Sequence, residues 1–388
     1  MDRERGGALM RTSTTILGAA LLVAAATVIL TAGTSGTAHA YPQYQLSREQ
    51  TCGACHISPA GGSLLNDNGE LTDEDEAQWG GDGSFLHGKV ELPAWFRFGG
   101  DVRGAAGVTD PGGGIAPAAF PMQAEFHGAA LAGPLTIYAD LGFTIPKEGG
   151  SPATVLMSRE HYVRWNQHPD NLGLYARAGR FMPVYGLRWA EHTEYVRRFG
   201  GTPLFGEAYG ASVGWVSAGA EAHVTGFVHD RLRDSIETGD GAALYAEKRF
   251  GNAAIGAEAR YATGNDDTRT QGGVTGKVWL DGPSVLLQAE VQAVHQAFTD
   301  LDASRNQIVG NVMASWFVRH GYLLDVVLGH YDQDVKVPEL DRDALELNLH
   351  WFPKAHVELI LMTRLQTIGL GNGGDTSGYA LAQLHYRL

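Results

Sequence analysis

After its first 40 residues the sequence lacks any apolar run of the ~18 residues that a transmembrane helix needs, which excludes a helical membrane domain. It has only two cysteines in 388 residues, too few for a scaffold held together by several disulfides. Basic residues are also scarce, since 29 Lys and Arg stand against 43 Asp and Glu, a net charge of −14. Nucleic acid is therefore not an expected partner. The 52 glycines and 14 tyrosines favour β-structure instead.

The first 40 residues have the features of a secretory signal peptide. Basic residues precede an apolar run over about 16–30, and the small residues that follow end in an Ala-His-Ala triplet at 38–40. This pattern predicts export and cleavage before Tyr41. The alternative is an uncleaved membrane anchor, because the apolar run is near the upper length for a signal peptide. In both cases the rest of the chain leaves the cytoplasm.

Both cysteines belong to one short motif, Cys52-Gly53-Ala54-Cys55-His56. Two thiols at this spacing can form thioethers with the two vinyl groups of a haem, and the histidine is then placed to ligate the iron. We therefore predict one covalent haem c. Two alternatives compete with this interpretation. A disulfide here would close too small a loop to stabilise the chain much, and a thioredoxin-like pair would need a βαβ context, although no strand precedes the motif.

The haem motif lies in a very short segment, residues 41–93. About fifty residues would struggle to bury a core of their own, so we expect this monohaem cytochrome c-type segment to rest on the remainder of the chain. Its acidic run at 73–76 has two interpretations, a solvated linker or a surface that attracts cations or a basic electron carrier.

From residue 94 to residue 388 apolar and polar residues alternate with a period of two, as in β-strands. About sixteen such segments of roughly ten residues can be counted. Tight links, such as 132–134, 217–219 and 251–252, alternate with long polar ones, which is typical of short periplasmic turns and long extracellular loops. A soluble β-sandwich also alternates, but the polar faces carry too many Arg and Glu for a dry core.

We therefore expect a mainly β protein: an outer-membrane antiparallel β-barrel of about sixteen strands over 94–388, in contact with outer-membrane lipid. Aromatic residues gather where the even-numbered segments end, as in an interfacial girdle. A barrel of this size leaves an aqueous lumen. The haem segment is expected to lie in that lumen or beneath the barrel.

This architecture resembles the fused cytochrome–porin proteins of iron-oxidising bacteria. The resemblance rests on the exported monohaem motif, carried by Cys52, Cys55 and His56, and on the roughly sixteen barrel strands that follow it to Leu388. It implies electron transfer across the outer membrane, with iron(II) as an extracellular donor.

The link between the fifth and sixth segments, residues 184–206, is one of the longest. In general porins, which this barrel resembles, that loop folds inward and constricts the lumen. Here Arg188, Arg197 and Arg198 are candidates to pair with haem propionates, and His192 is the candidate second axial ligand. The alternative is a plain constriction loop whose arginines face glutamates across the channel. Other candidate axial ligands are His87, Met182 and Met157.

The expected function is one-electron transfer between a periplasmic carrier and an extracellular metal donor or acceptor, rather than conventional enzyme catalysis. One haem cannot span a hydrocarbon layer of about 30 Å, so it must lie inside the barrel. Two other functions remain open. One is a diffusion porin whose haem plugs, senses or gates, and the other is a haem enzyme with an open iron position.

Overall fold

The computed structural model describes residues 44–62, 64–143, 156–228, 239–337, 340–369 and 375–388. The expected signal peptide and its cleavage site lie outside these ranges. Within them, no helix is long and apolar enough to cross a bilayer.

A single antiparallel sheet closes on itself through pairing of its first and last strands. The strands are β1 (Phe96–Asp110), β2 (Ala116–Ala132), β3 (Leu135–Phe143), β4 (Leu156–Met157), β5 (His161–Asn166), β6 (Gly173–Phe181), β7 (Ala208–Ser217), β8 (Ala220–Val228), β9 (Asp240–Phe250), β10 (Ala253–Thr263), β11 (Asp267–Leu280), β12 (Val285–Phe298), β13 (Ser304–Arg319), β14 (Tyr322–Asp332), β15 (Asp341–Lys354), β16 (Val357–Ile368) and β17 (Thr376–Arg387). Each is paired with its neighbours in sequence, so the result is an up-and-down barrel.

Strands β4 and β5 lie end to end along β3 and together fill one position in the wall. The break between them has a local cause. The carboxylate of Asp140 accepts the backbone N–H groups of Arg159 (2.6 Å) and Glu160 (3.0 Å), which interrupts the regular strand at that point. The seventeen strands therefore make a sixteen-position barrel, which confirms the number predicted from the alternating segments.

The two faces of the wall differ as a membrane barrel requires. Along β3, Leu135, Ile137 and Leu141 are exposed on the outside, whereas Tyr138 and Asp140 between them are buried on the lumenal side. Apolar residues that face outward and polar residues that face inward exclude the β-sandwich, whose apolar faces would meet in a dry core.

Tight turns lie at one end of the barrel and longer connections at the other. Gly133 and Gly251 sit in two of these turns with φ of 60° and 57°, a left-handed conformation that glycine adopts without steric cost. One connection at the other end differs from expectation. The alternation of apolar and polar residues predicts that the tenth segment starts near residue 273. Strand β11, which corresponds to it, begins at Asp267, so only residues 264–266 separate it from β10.

The segment before β1 forms three short helices: α1 (Tyr44–Ser47), α2 (Cys52–Cys55) and α3 (Asp67–Glu76). It lies at the tight-turn end of the barrel. The Tyr44 ring packs 5.4 Å from that of Phe317, and the N–H groups of Gln78 and Trp79 donate to the carbonyls of Phe352 (2.8 Å) and Pro353 (3.1 Å).

The long link between β6 and β7, residues 182–207, folds into the lumen, as the resemblance to general porins implied for residues 184–206. It contains one short helix, α4 (Tyr195–Arg198). Trp189 and Tyr195 are buried against Val309 and Met313 of β13. The N–H of Val196 also donates to the Asn311 side chain of β13 at 2.9 Å. We call this link the lumenal loop.

Candidate functional site

A cavity of about 440 Å³ lies inside the barrel, between the N-terminal segment and the lumenal loop. Its size falls within the range of about 300–1,000 Å³ that is usual for small-molecule and cofactor sites. Cys52, Cys55 and His56 line it from the segment, and Arg188 and Arg197 line it from the loop. The structure thus brings the predicted haem-attachment motif together with two of the three predicted arginines.

The motif is held in place by two asparagine side chains. Asn171, in the β5–β6 connection, donates from Nδ2 to the carbonyls of Gly53 (2.9 Å) and His56 (3.2 Å). Asn66 donates to the same two carbonyls at 3.2 and 3.3 Å. A Cβ at position 53 would lie only 2.6 Å from that of Asn171, so this close approach requires glycine. The barrel itself therefore helps to fix the shape of the motif.

The two thiols do not form a disulfide with each other. Gln45 donates from Nε2 to Sγ of Cys52 at 3.0 Å. Burial raises the pKa of both thiols, and the positive charge of Arg188 only partly offsets this for Cys52. Redox-active C-x-x-C pairs depend instead on a lowered thiol pKa. These surroundings therefore favour neither the disulfide nor the thioredoxin-like alternative.

An additional buried arginine supports the fit of an anionic cofactor. Arg177 of β6 lines the cavity with 5% of its surface exposed. Its guanidinium lies 3.7 Å from the Phe181 ring centre, and among the described residues no hydrogen-bond acceptor reaches its Nε or Nη2. Buried charged donors left without acceptors are costly. Haem propionates would supply acceptors there, and Tyr44, Leu65, Val184, Leu187, Trp189 and Phe352 supply apolar lining for the macrocycle.

The three predicted loop arginines have different surroundings. Arg188 donates to Glu221 of β8 at 2.5 Å and to the carbonyl of Ala60 at 3.2 Å, and so links the loop to both the wall and the N-terminal segment. Arg197 donates to the carbonyl of Trp189 at 2.9 Å within the loop. Arg198 is exposed and does not line the cavity.

The candidate axial ligands differ in where they lie relative to the cavity. Met182 lines the same cavity as His56, whereas His192 and Met157 do not. His192 lies nearby in the lumenal loop, and burial lowers its pKa, which favours the neutral imidazole that binds metals. His87 lies outside the cavity, with Nε2 2.9 Å from the Tyr386 hydroxyl.

Sequence reasoning did not identify Arg177 or Asn171. Arg177 occupies an inward-facing position of a strand, and the alternating pattern marks that position as lumenal without indicating what it faces. Asn171 lies in a short polar connection with φ of 61°, and no sequence pattern links it to a motif more than a hundred residues earlier.

No protein-family model and no curated protein matches the chain. Its barrel does resemble solved outer-membrane proteins. OmpT of Vibrio cholerae aligns with a TM-score of 0.58 at 11% identity, over 77% of this chain and all of that one. The anion-selective porin from Comamonas acidovorans aligns with a TM-score of 0.57 at 14% identity, over 76% of this chain and 99% of that one. Salmonella typhi OmpF, solved in complex with daunomycin, aligns with a TM-score of 0.56 at 10% identity, over 76% of this chain and 97% of that one. At these identities the likeness concerns the fold: the chain has the closed sixteen-strand antiparallel barrel of the outer-membrane porins.

Proposed function

We propose that this chain is an outer-membrane electron-transfer protein that holds one covalent haem c inside a porin-type barrel. The observation that carries the proposal is the shared cavity, onto which both thiols, His56 and the buried Arg177 open. A signal-peptide pattern, an apolar outer face and the porin fold support the outer membrane as its location.

Each part of the site has a distinct role in this proposal. Cys52 and Cys55 would attach the cofactor, His56 would supply a nitrogen ligand to its iron, and the guanidiniums of Arg177, Arg188 and Arg197 would compensate the propionate charge. Haem supplies a one-electron redox couple at its iron. The apolar residues of the lumenal loop exclude water and orient the cofactor.

The two ends of the barrel would meet different partners. The tight-turn end carries α3, whose sequence Asp-Asn-Gly-Glu-Leu-Thr-Asp-Glu-Asp-Glu is strongly acidic and suits a basic periplasmic carrier. The opposite end would meet an extracellular metal donor or acceptor, with iron(II) as the donor that the family resemblance suggests. A cofactor between them shortens each electron-transfer step relative to the full layer of about 30 Å.

A second candidate is a diffusion channel, which the likeness to porins favours. In this structure the N-terminal segment packs against inward-facing side chains of the wall, and the lumenal loop lies within the lumen. A conductance comparable to that of an open sixteen-strand porin in planar bilayers would favour the channel over the electron-transfer protein.

Covalent attachment is tested by Cys52→Ala and Cys55→Ala, with Ala54→Ser in the same turn as the matched control. We expect haem that survives denaturation in the wild type and in the control, and much less in both cysteine variants. A wild-type chain with two free thiols and no denaturation-resistant haem would overturn the proposal.

The axial ligand is tested by ferric absorption spectra of Met182→Ala and His192→Ala. The ligand's removal should convert low-spin iron to high-spin iron and let azide bind. The cavity lining favours Met182, whereas His192 is the ligand expected from the sequence. If wild-type iron already binds azide, an open-site haem enzyme replaces the electron-transfer protein.

The location is tested by epitope tags on whole cells. Tags between Gly112 and Gly113 should be labelled on intact cells, and tags between Gly251 and Asn252 should not. Equal labelling at both sites would contradict the proposed orientation.

A further inference from the structure

A continuous row of alternating histidines and carboxylates runs around part of the lumenal wall. It crosses six neighbouring strands, from β14 through β17 and on to β1 and β2. We call this row the histidine–carboxylate belt; in order, its members are Asp325, His350, Glu358, His385, Asp101 and His127.

The centre of the belt is His385, whose two ring nitrogens both face carboxylates. Its Nε2 lies 2.7 Å from Oδ1 of Asp101, and its Nδ1 lies 2.8 Å from Oε2 of Glu358. An ionised carboxylate only accepts hydrogen bonds. Two such bonds therefore require either a protonated imidazole or a protonated carboxyl, so this triad holds one proton in a position where it can move between three groups.

The belt continues on both sides with the same alternation. The second oxygen of Glu358 lies 2.7 Å from Nδ1 of His350, whose Nε2 is 3.2 Å from Asp325. The second oxygen of Asp101 lies 3.0 Å from Nε2 of His127. Each imidazole can accept a proton on one nitrogen and release it from the other. The row therefore has the geometry of a proton path along the wall.

The central triad borders the proposed haem cavity, since Asp101, Glu358 and His385 all line it. Other charged groups and histidines of the wall and its connections line the same cavity: Arg103, Glu125, Asp140, Arg159, Glu160, Arg177, His356 and Arg387. From the N-terminal segment His56, Asp73 and Glu76 line it, and from the lumenal loop Arg188, Glu191, Arg197 and Glu207 do. Asp73 is paired with Arg387 and Arg159 with Glu207, and the triad is paired through Glu358 with His350 and through Asp101 with His127.

We propose that the histidine–carboxylate belt releases a proton when the cavity's redox group loses an electron and takes one up when the electron returns. This inference rests on the proposed function. Loss of an electron adds one positive charge to the cavity and so disfavours the protonated triad nearby. The electron passes to the periplasmic carrier, the proton leaves His385 for water, and the triad becomes one charge more negative. The reverse step consumes one electron and one proton.

The test is the pH dependence of the midpoint potential, measured by spectroelectrochemistry of the full-length haem protein over pH about 5 to 8, where histidines usually titrate. A fully coupled proton shifts a one-electron potential by about 59 mV for each tenfold change in proton concentration. We expect a slope approaching this value in the wild type and a much flatter one in His385→Gln. The matched control is His330→Gln, which removes a histidine that also pairs with a carboxylate, Asp343 at 2.9 Å, but is half exposed.

Glu358→Gln provides a second variant with nearly unchanged shape. This substitution removes one of the two carboxylate charges that face His385, so the imidazole should lose its proton at a lower pH. The pH range over which the midpoint potential changes should therefore move to lower values. A slope that persists unchanged in both belt variants would overturn the inference and leave the electron-transfer proposal intact. A pH-independent wild-type potential would do the same. A chain that binds no covalent haem at all would overturn both.

Discussion

The barrel wall and the N-terminal segment are stabilised in different ways. In the wall each strand pairs with the strands next to it in sequence, apart from the closure between β1 and β17, and the outer face is apolar along the strands. Over its described residues, 44–62 and 64–93, the segment has only helices of four, four and ten residues. Its buried side chains, such as Ile57 and Leu64, pack against Tyr138 and Phe181 of the wall. The wall supplies its own framework, and the segment takes its core from the wall.

The largest expected effect comes from separating the two regions. Residues 41–93 expressed alone should be unfolded by circular dichroism, because isolated helices shorter than about 12–15 residues are marginal in water. Residues 94–388 should keep their β-structure in detergent and conduct more than the full chain in planar bilayers. A helical, folded 41–93 fragment would show that the segment does not depend on the wall for its core.

The lumenal loop should behave like the segment, because it also takes its core from the wall. Trp189 is 5% exposed and donates from Nε1 to Glu290 at 2.8 Å. Trp189→Ala should cost about 3–5 kcal/mol locally and make the loop susceptible to proteolysis. Trp215→Ala, which removes an outward-facing indole that is 44% exposed, should leave the cleavage rate nearly unchanged.

The contact between wall and motif is tested by Asn171→Gly, which keeps the left-handed backbone but removes both hydrogen bonds to the motif. Loss of about 1–3 kcal/mol should speed labelling of the buried Cys55 thiol by about 5- to 150-fold in haem-free protein. Asn252→Gly, in a tight turn away from the motif, is the control. Equal labelling rates in the two variants would show that Asn66 alone holds the motif.

A smaller effect concerns pH and the docking of α3. Burial raises the pKa of Glu76 to about 10 in the folded chain, above the 4.5 of a solvated glutamate. Its contribution to stability is therefore full below pH 4.5 and is lost as the pH rises towards 10. Docking, followed by Trp79 fluorescence during urea unfolding, should weaken with rising pH in the wild type and less so in Glu76→Gln. The exposed Asp75→Asn is the control, and a wild-type profile that matches Glu76→Gln would contradict the assignment.

The wall was predictable from sequence because its information is local. Alternation within β3 and the tight turns at Gly133 and Gly251 fix strand, face and link without reference to distant residues. The break between β4 and β5 could not be predicted, because it depends on the Asp140 side chain of another strand. The start of β11 at Asp267 was also missed, because its first residues are polar and resemble a loop.

The candidate site could be predicted from the sequence only where residues with the required side chains also lie close together in the chain. The prediction of a haem-attachment motif needs only five consecutive residues. The cavity around that motif depends instead on which inward-facing residues of different strands lie at the same level along the barrel axis. His385 and Asp101 are 284 positions apart in the chain and meet only through the β1–β17 pairing. A single sequence does not contain the register of that pairing, so neither the belt nor the position of Arg177 could be inferred from it.

The β1–β17 seam also has a consequence for assembly. Ten residue pairs, from Asp101 with Arg387 to Asp110 with Gly378, join the two ends of the wall. Contacts so distant in sequence form slowly, and until they form two strand edges are open to wrong pairing with other chains. The N-terminal segment touches both sides of the seam, since Asp67 pairs with Arg97 at 2.6 Å and His87 reaches Tyr386 at 2.9 Å. By holding the two strand edges together, the N-terminal segment would shorten the time during which the nascent barrel can aggregate. A chain that lacks the segment should therefore depend more strongly on chaperones.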